Sequence, residues 1–76
     1  MDEKKYKIYK SVNNFLISLN KEELNKFFNS KTASSQYLRI KKIIDNKEEL
    51  SDQKKEELKG NFFWAIMNNV KLKENE

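Results

Sequence analysis

The sequence contains no cysteine, no histidine and no proline, and it has a single glycine, Gly60. Without cysteine and histidine, the chain has no disulfide framework, no thiolate nucleophile, no imidazole acid or base and no zinc site of the usual ligands. With one glycine it also lacks a glycine-rich phosphate-binding loop. We therefore expect a protein that is not an enzyme and that binds no metal ion or cofactor.

The sequence also lacks a long apolar run. The longest uninterrupted apolar stretch extends from Phe62 to Met67, whereas a membrane-spanning helix needs about 20 such residues. The polar start, Met1 to Lys5, leads into no run of signal-peptide length. We expect a cytoplasmic protein that does not bind membranes. The abundance of lysine and asparagine is typical of an AT-rich bacterial or phage genome.

What the chain does have is enough aromatic surface for one small core. Its 76 residues include five phenylalanines, three tyrosines and one tryptophan, and such side chains bury large areas. A chain of this length folds as one domain, and it buries only about 60–65% of the surface that its unfolded form exposes. We therefore predict a single domain over residues 1–76.

The spacing of apolar residues predicts an all-α fold, because no segment alternates with the period of a strand. We predict a small bundle of about four helices, over residues 4–19, 21–29, 34–45 and 52–70, with a frayed tail over 71–76. The residues predicted to face the core lie on one face of each helix: Ile8, Val12, Phe15, Leu16 and Leu19; Leu24, Phe27 and Phe28; Tyr37, Ile40, Ile43 and Ile44; and Leu58, Phe62, Phe63, Ile66 and Val70.

Short polar residues mark where the helices begin. Asn20 with Glu23 three residues later is a variant of the capping box, in which two side chains satisfy free amide groups. Thr32 or Ser34 begins the third helix, and Ser51 begins the fourth. These caps place the helix boundaries more closely than the apolar spacing does.

Residues 47–51 fit two interpretations. Asn46 and Glu49 have the spacing of a second capping box, which would make this stretch helical. We favour a connection from which the Leu50 side chain packs into the core, with Ser51 as the cap of the helix that follows.

The fourth helix carries its tryptophan on the side opposite its apolar stripe. On a helical wheel, Trp64 lies nearly opposite the predicted core residues, and Met67 lies between Phe63 and Trp64. Gly60, one turn earlier, costs about 1 kcal/mol of helix propensity, which favours close approach of another backbone or ring there. Because tryptophan is enriched at binding hot spots, we predict a partner-binding surface at these four residues. The alternative is a last helix that lies between two others and buries both faces.

The charge is unevenly distributed along the chain. The net charge is +4; residues 1–45 carry ten basic and five acidic side chains, whereas residues 46–76 carry six and seven. A basic N-terminal half favours an acidic partner, either a nucleic acid or an acidic protein surface. The alternative is a solvated surface on which lysine supplies solubility.

The third helix has a basic outer face. Arg39, Lys41 and Lys42 point outward, and Lys31 lies just before the helix, so that together they present cations to phosphates. The order of second helix, polar turn and third helix loosely resembles a helix-turn-helix, with residues 34–39 opening the recognition helix. The polar, turn-like stretch over residues 29–35 is longer than usual for that motif and lacks its glycine.

Together these features predict a non-enzymatic protein that binds a macromolecule, most plausibly a protein with an acidic surface. It would be an inhibitor, immunity or adaptor protein of a bacterium, phage or mobile element, acting by occlusion or scaffolding. The partner would bury the side chains of Phe63, Trp64 and Met67, and basic side chains would steer the two proteins together. A homodimer through the Trp64 face satisfies the same observations. The alternative function is a nucleic-acid-binding regulator that uses the basic third helix.

Overall fold

Four helices make up the fold, which is taken from a computed structural model that describes residues 3–68. They are α1 (Glu3–Ile17), α2 (Lys21–Phe28), α3 (Ala33–Asp45) and α4 (Asp52–Met67), and no strand occurs within those residues. The predicted all-α bundle is confirmed. Val70, the predicted end of the last helix at residue 70 and the predicted frayed tail over 71–76 lie outside the described part of the chain.

The predicted caps begin three of the helices. The Asn20 Oδ1 atom accepts a hydrogen bond from the Glu23 amide at 2.8 Å, and Glu23 Oε1 accepts one from the Asn20 amide at 3.2 Å, which completes the capping box. Thr32 Oγ1 accepts from the Ser35 amide at 3.1 Å, so Thr32 rather than Ser34 caps α3. Ser51 Oγ accepts from the Lys54 amide at 3.1 Å.

Phe62 lies at the centre of the core. Its ring contacts the rings of Phe15 and Phe27 edge-to-face, with centroids 5.8 and 5.7 Å apart, so that one side chain of α4 touches both α1 and α2. The buried side chains are Val12, Leu16, Leu19, Leu24, Phe27, Ile40, Ile44, Leu58, Phe62, Ala65 and Ile66. All of them except Ala65 belong to the predicted core set, and Ile8, Phe15, Phe28, Tyr37 and Ile43 pack against them while half-buried.

The last helix has neighbours on two flanks. It packs against α1 and against α3, and α2 packs against α3. On the α1 side, the Asn61 amide donates to Ser11 Oγ at 3.3 Å. Residues 47–51 form a connection and not a helix, and Leu50 packs against the core from it. The favoured interpretation of this stretch is therefore confirmed.

An ion pair joins the end of α3 to α4. Lys59 Nζ donates to Asp45 Oδ1 at 2.8 Å, and Lys55 Nζ donates to the Asp45 carbonyl oxygen at 3.1 Å. The hydrogen bond from Lys59 lowers the pKa of the Asp45 carboxyl, and the same bond raises the pKa of the Lys59 ammonium. The pair therefore links the C-terminal end of α3 to the first half of α4.

Candidate functional site

The outward side of α4 carries a second apolar face. Gly60, Phe63, Trp64 and Met67 follow the spacing i, i+3, i+4 and i+7, which places them on one helical face, and we call them the α4 outer patch. The core residues of α4 lie on the opposite face: Leu58, Phe62, Ala65 and Ile66. A helix that is apolar on both faces is ordinarily covered on both faces, but within residues 3–68 only one face of α4 is covered.

Phe63 was predicted to be buried, and that prediction is wrong: its side chain is 50% exposed. Its ring makes an edge-to-face contact with the ring of Tyr37 on α3, with centroids 5.3 Å apart. Because α1 and α3 both pack on α4, the inward direction of the helix points toward Ala65, which is fully buried, and away from Phe63. Phe63 therefore lies at the margin between α3 and the α4 outer patch.

Trp64 was predicted to point away from the core, and the structure corrects this as well. Its side chain is half-buried and packs against the buried cluster. Met67, by contrast, is 46% exposed, as its predicted role requires. As the alternative predicts, α4 lies between two other helices and Trp64 packs against the core, but Phe63 and Met67 remain exposed. Trp64 forms the inner edge of the α4 outer patch.

Gly60 has no side chain, so it leaves an open notch in the α4 outer patch. A Cβ atom added to Gly60 would meet no atom of a neighbouring side chain or helix within 4 Å. The close approach that was predicted to explain this glycine is therefore not made by any described residue of the chain itself. The notch leaves room beside Phe63 and Trp64, where the surface is apolar.

Leu38 is an exposed apolar residue whose importance the sequence did not indicate. It directly follows Tyr37 in α3, and its side chain is 61% exposed. In the sequence it lies among Arg39, Lys41 and Lys42, which are residues of the predicted basic face. The contact of Tyr37 with Phe63 shows that α3 meets the α4 outer patch at this point.

The four predicted basic residues do not form one face. Arg39 lies toward α2, where its Nη1 donates to the Lys26 carbonyl oxygen at 3.0 Å, and Lys42 lines the same side. Lys41 is exposed one turn before Asp45, and Lys31 is exposed in the connection before α3. Only Arg39 and Lys42 are brought together.

These two residues line a concavity between α2 and α3, which we call the α2–α3 groove. Its volume is roughly 330 Å³, and its charged lining consists of four cations, Lys26, Arg39, Lys42 and Lys47, and one carboxylate, Glu23. Lys47 was not predicted to belong to it, because it lies in the connection that follows α3.

A second, more open cleft lies between α1 and the start of α4. Its volume is roughly 480 Å³, and its charged lining consists of Lys7, Lys10, Lys54 and Glu57 around apolar side chains that include Phe15. Two of these lysines have carboxylate neighbours, since Lys54 lies 3.5 Å from Glu57 and Lys7 lies 3.8 Å from Glu3. We call it the α1–α4 cleft.

The resemblance of α2 and α3 to a helix-turn-helix has a mixed outcome. The connection between the helices is residues 29–32, so it is shorter than predicted and has the three-to-four-residue length typical of that motif. Gln36 and Arg39, which would reach base edges, instead donate to the carbonyl oxygens of Phe27 and Lys26 at 3.5 and 3.0 Å. The two side chains suited to reading bases therefore join α3 to α2.

Within residues 3–68, no group of carboxylates is arranged to hold a metal ion, and no buried side-chain polar atom lacks a hydrogen-bond partner. None of α1 to α4 has the length and apolar composition needed to cross a bilayer. Comparisons of the chain with protein-family models, with curated proteins and with solved structures find no match. A function for this protein must therefore be inferred from the surfaces described above.

Proposed function

We propose that this protein binds another protein through the α4 outer patch and acts by occlusion or scaffolding, as an inhibitor, immunity or adaptor protein of a bacterium, phage or mobile element. The observation that carries the proposal is the second apolar face of α4. Phe63 and Met67 are about half exposed there, one helical turn apart, and the Tyr37 ring contacts only one side of Phe63.

The chemistry of this face suits a protein partner. Aromatic side chains and methionine are enriched in the cores of protein interfaces, and tryptophan is the residue type most often found at hot spots. Trp64 already packs against the core on one side, so little side-chain freedom is lost when a partner covers its other side. Leu38 on α3 adds apolar surface next to the Tyr37–Phe63 contact.

The experiment compares what three immobilised proteins capture from the source cell. They are the wild type, the double variant Phe63→Ser Met67→Ser, and the control Ile17→Ser, which changes a side chain 63% exposed on α1. We expect the wild type and the control to retain the same partner, and the double variant to bind it at least about tenfold more weakly. Equal retention of that partner by all three proteins would contradict the proposal.

The same three proteins also test self-association. If the partner is a second copy of this chain, sedimentation velocity will show a dimer for the wild type and the Ile17→Ser control, and a monomer for the double variant. Far-ultraviolet circular dichroism of each variant checks that the helices remain. We expect them to remain because all three changes are at exposed positions.

The second candidate function is a nucleic-acid-binding regulator, and the four-residue connection between α2 and α3 favours it. Duplex binding would involve Arg39, Lys41 and Lys42, of which Arg39 also donates to the Lys26 carbonyl oxygen of α2. Such a complex should weaken steeply as salt rises, with a slope of about one per phosphate contacted. If no duplex is bound even at low salt, this candidate is excluded.

A further inference from the structure

We infer that the α2–α3 groove binds an acidic segment of the partner protein, with side-chain carboxylates of that segment among Lys26, Arg39, Lys42 and Lys47. The inference builds on the proposed function, because it names the chemistry of a second part of the same partner. It concerns a different surface, however, and that surface can be tested separately.

The groove has more positive than negative charge in its lining. Its carboxylate, Glu23, is engaged by Lys47, whose Nζ lies 3.1 and 3.4 Å from the two carboxylate oxygens. The Lys42 side chain makes no ion pair or hydrogen bond with any residue of 3–68. Lys26 has only an exposed contact with Glu22 at 3.6 Å, and exposed pairs of this kind contribute little. Positive charge is therefore available to a ligand.

Arg39 is held in position before any ligand arrives. Its Nη1 donates to the Lys26 carbonyl oxygen at 3.0 Å, which uses one of the five N–H donors of a guanidinium. A guanidinium fixed by one of its donors can offer the others to a carboxylate with less loss of side-chain entropy than a mobile lysine. Ile43, which is half-buried, adds an apolar part to the groove lining.

The limits of the groove favour an acidic protein segment over a nucleic acid. Glu22 and Glu23 lie along its α2 wall, and Glu48 and Glu49 directly follow Lys47 in the chain. A duplex that made the six to ten phosphate contacts of a typical complex would extend past these carboxylates and be repelled by them. A short acidic segment can instead contact only the cationic lining of the α2–α3 groove and avoid these carboxylates.

The groove also has a clearer excess of unpaired charge than the α1–α4 cleft. There, Lys54 and Lys7 lie near Glu57 and Glu3, and Lys10 lies 5.9 Å from the centre of the Tyr6 ring. These pairs are as exposed as the Lys26–Glu22 contact, so the difference lies in the cations that have no carboxylate neighbour among the described residues: Arg39 and Lys42 in the groove, and Lys10 alone in the cleft. An acidic ligand therefore gains less in the cleft. The cleft therefore supplies a matched control surface.

One partner can contact both the groove and the α4 outer patch. On α3, Arg39 and Lys42 face the groove, Leu38 is exposed, and Tyr37 meets Phe63 of the patch. These residues follow one another around the helix at about 100° per residue, so the outer surface of α3 links the two sites. A partner whose acidic segment adjoins an apolar surface matches this arrangement.

The test uses the full chain, labelled with nitrogen-15, and a short glutamate-rich peptide as the probe. Amide shifts are followed by NMR as the peptide is added to the wild type, to Lys42→Glu and to the control Lys10→Glu, which lowers the net charge equally in the α1–α4 cleft. We expect wild-type shifts centred on the groove, at least about fivefold weaker binding for Lys42→Glu, and a change below about twofold for Lys10→Glu. Equal weakening by both changes would overturn the inference in favour of a bulk charge effect.

A second arm replaces the peptide with duplex DNA and with single-stranded RNA. We expect either nucleic acid to bind the groove more weakly than the peptide at physiological salt; tighter binding of either one there would overturn the inference. The Phe63→Ser Met67→Ser variant separates this result from the proposed function, because it should bind the peptide as the wild type does. If the groove does not bind the peptide, the result expected from the capture experiment on the α4 outer patch does not change.

Discussion

The two faces of α4 have similar composition and opposite surroundings. Phe62 and Phe63 are neighbours with identical side chains, yet Phe62 is 0% exposed and Phe63 is 50% exposed. Phe62 contacts rings of α1 and α2, whereas Phe63 contacts one ring of α3. The comparison shows that apolar composition alone does not identify the core face of a helix, and that one helix can present apolar side chains both to the core and to the outside.

The largest expected effect comes from truncating each phenylalanine in turn. Phe62→Ala leaves a cavity at the centre of the core and should lower the free energy of unfolding by about 3–5 kcal/mol. Phe63→Ala removes one edge-to-face contact and exposed surface, and should cost about 1 kcal/mol. Urea denaturation followed by circular dichroism measures both. Equal losses would show that the two faces are equivalent in packing.

An intermediate effect is expected for Trp64→Ala, because the side chain packs against the core but is only half-buried. Its loss should lower the free energy of unfolding by about 1–3 kcal/mol, between the values for Phe62 and Phe63. Trp64→Phe is the control, since it retains an aromatic ring and should lose less. A change in partner binding without any change in stability would assign Trp64 wholly to the outer face.

The smallest expected effect is a gain in stability. Gly60→Ala adds a methyl group that meets no neighbouring atom within 4 Å, so helix propensity should raise the free energy of unfolding by about 0.5–1 kcal/mol. Ala65→Gly, on the buried face, is the reciprocal change and should destabilise by more than that. Thermal melting measures both variants. A destabilised Gly60→Ala protein would mean that this side of α4 is more closely covered than the structure indicates.

The boundaries of the helices could be predicted because they depend on neighbours in the sequence. Asn20 with Glu23 satisfies amide groups within three residues of itself, and Ser51 does the same at α4. Such contacts are present whatever the rest of the chain does. The choice between Thr32 and Ser34 stayed open because two hydroxyl residues stand close together and the spacing alone does not distinguish them.

The surfaces were harder to predict because they depend on which helices are neighbours in space. The helical wheel predicted that Phe63 faces the core and that Trp64 faces outward. Both predictions were wrong because the predicted core face did not include Ala65, a small residue that is fully buried. The α2–α3 groove combines Lys26, Arg39 and Lys47 from two helices and a connection, and no spacing along the chain links them. Arg39 and Lys42, which belong to the predicted basic face of α3, were the part of the groove that a single-helix pattern indicated.

The contact between α1 and α4 has a consequence for the order in which the chain folds during synthesis. α1 leaves the ribosome first, but its principal neighbour is α4, the last of the described helices to be made. Phe62, which contacts both Phe15 and Phe27, is also absent until then. Helices made early therefore keep Val12 and Leu16 uncovered in the nascent chain, where exposed apolar surface attracts chaperones or other chains. Cotranslational burial of the core must wait for α4, the same helix that carries the outer patch.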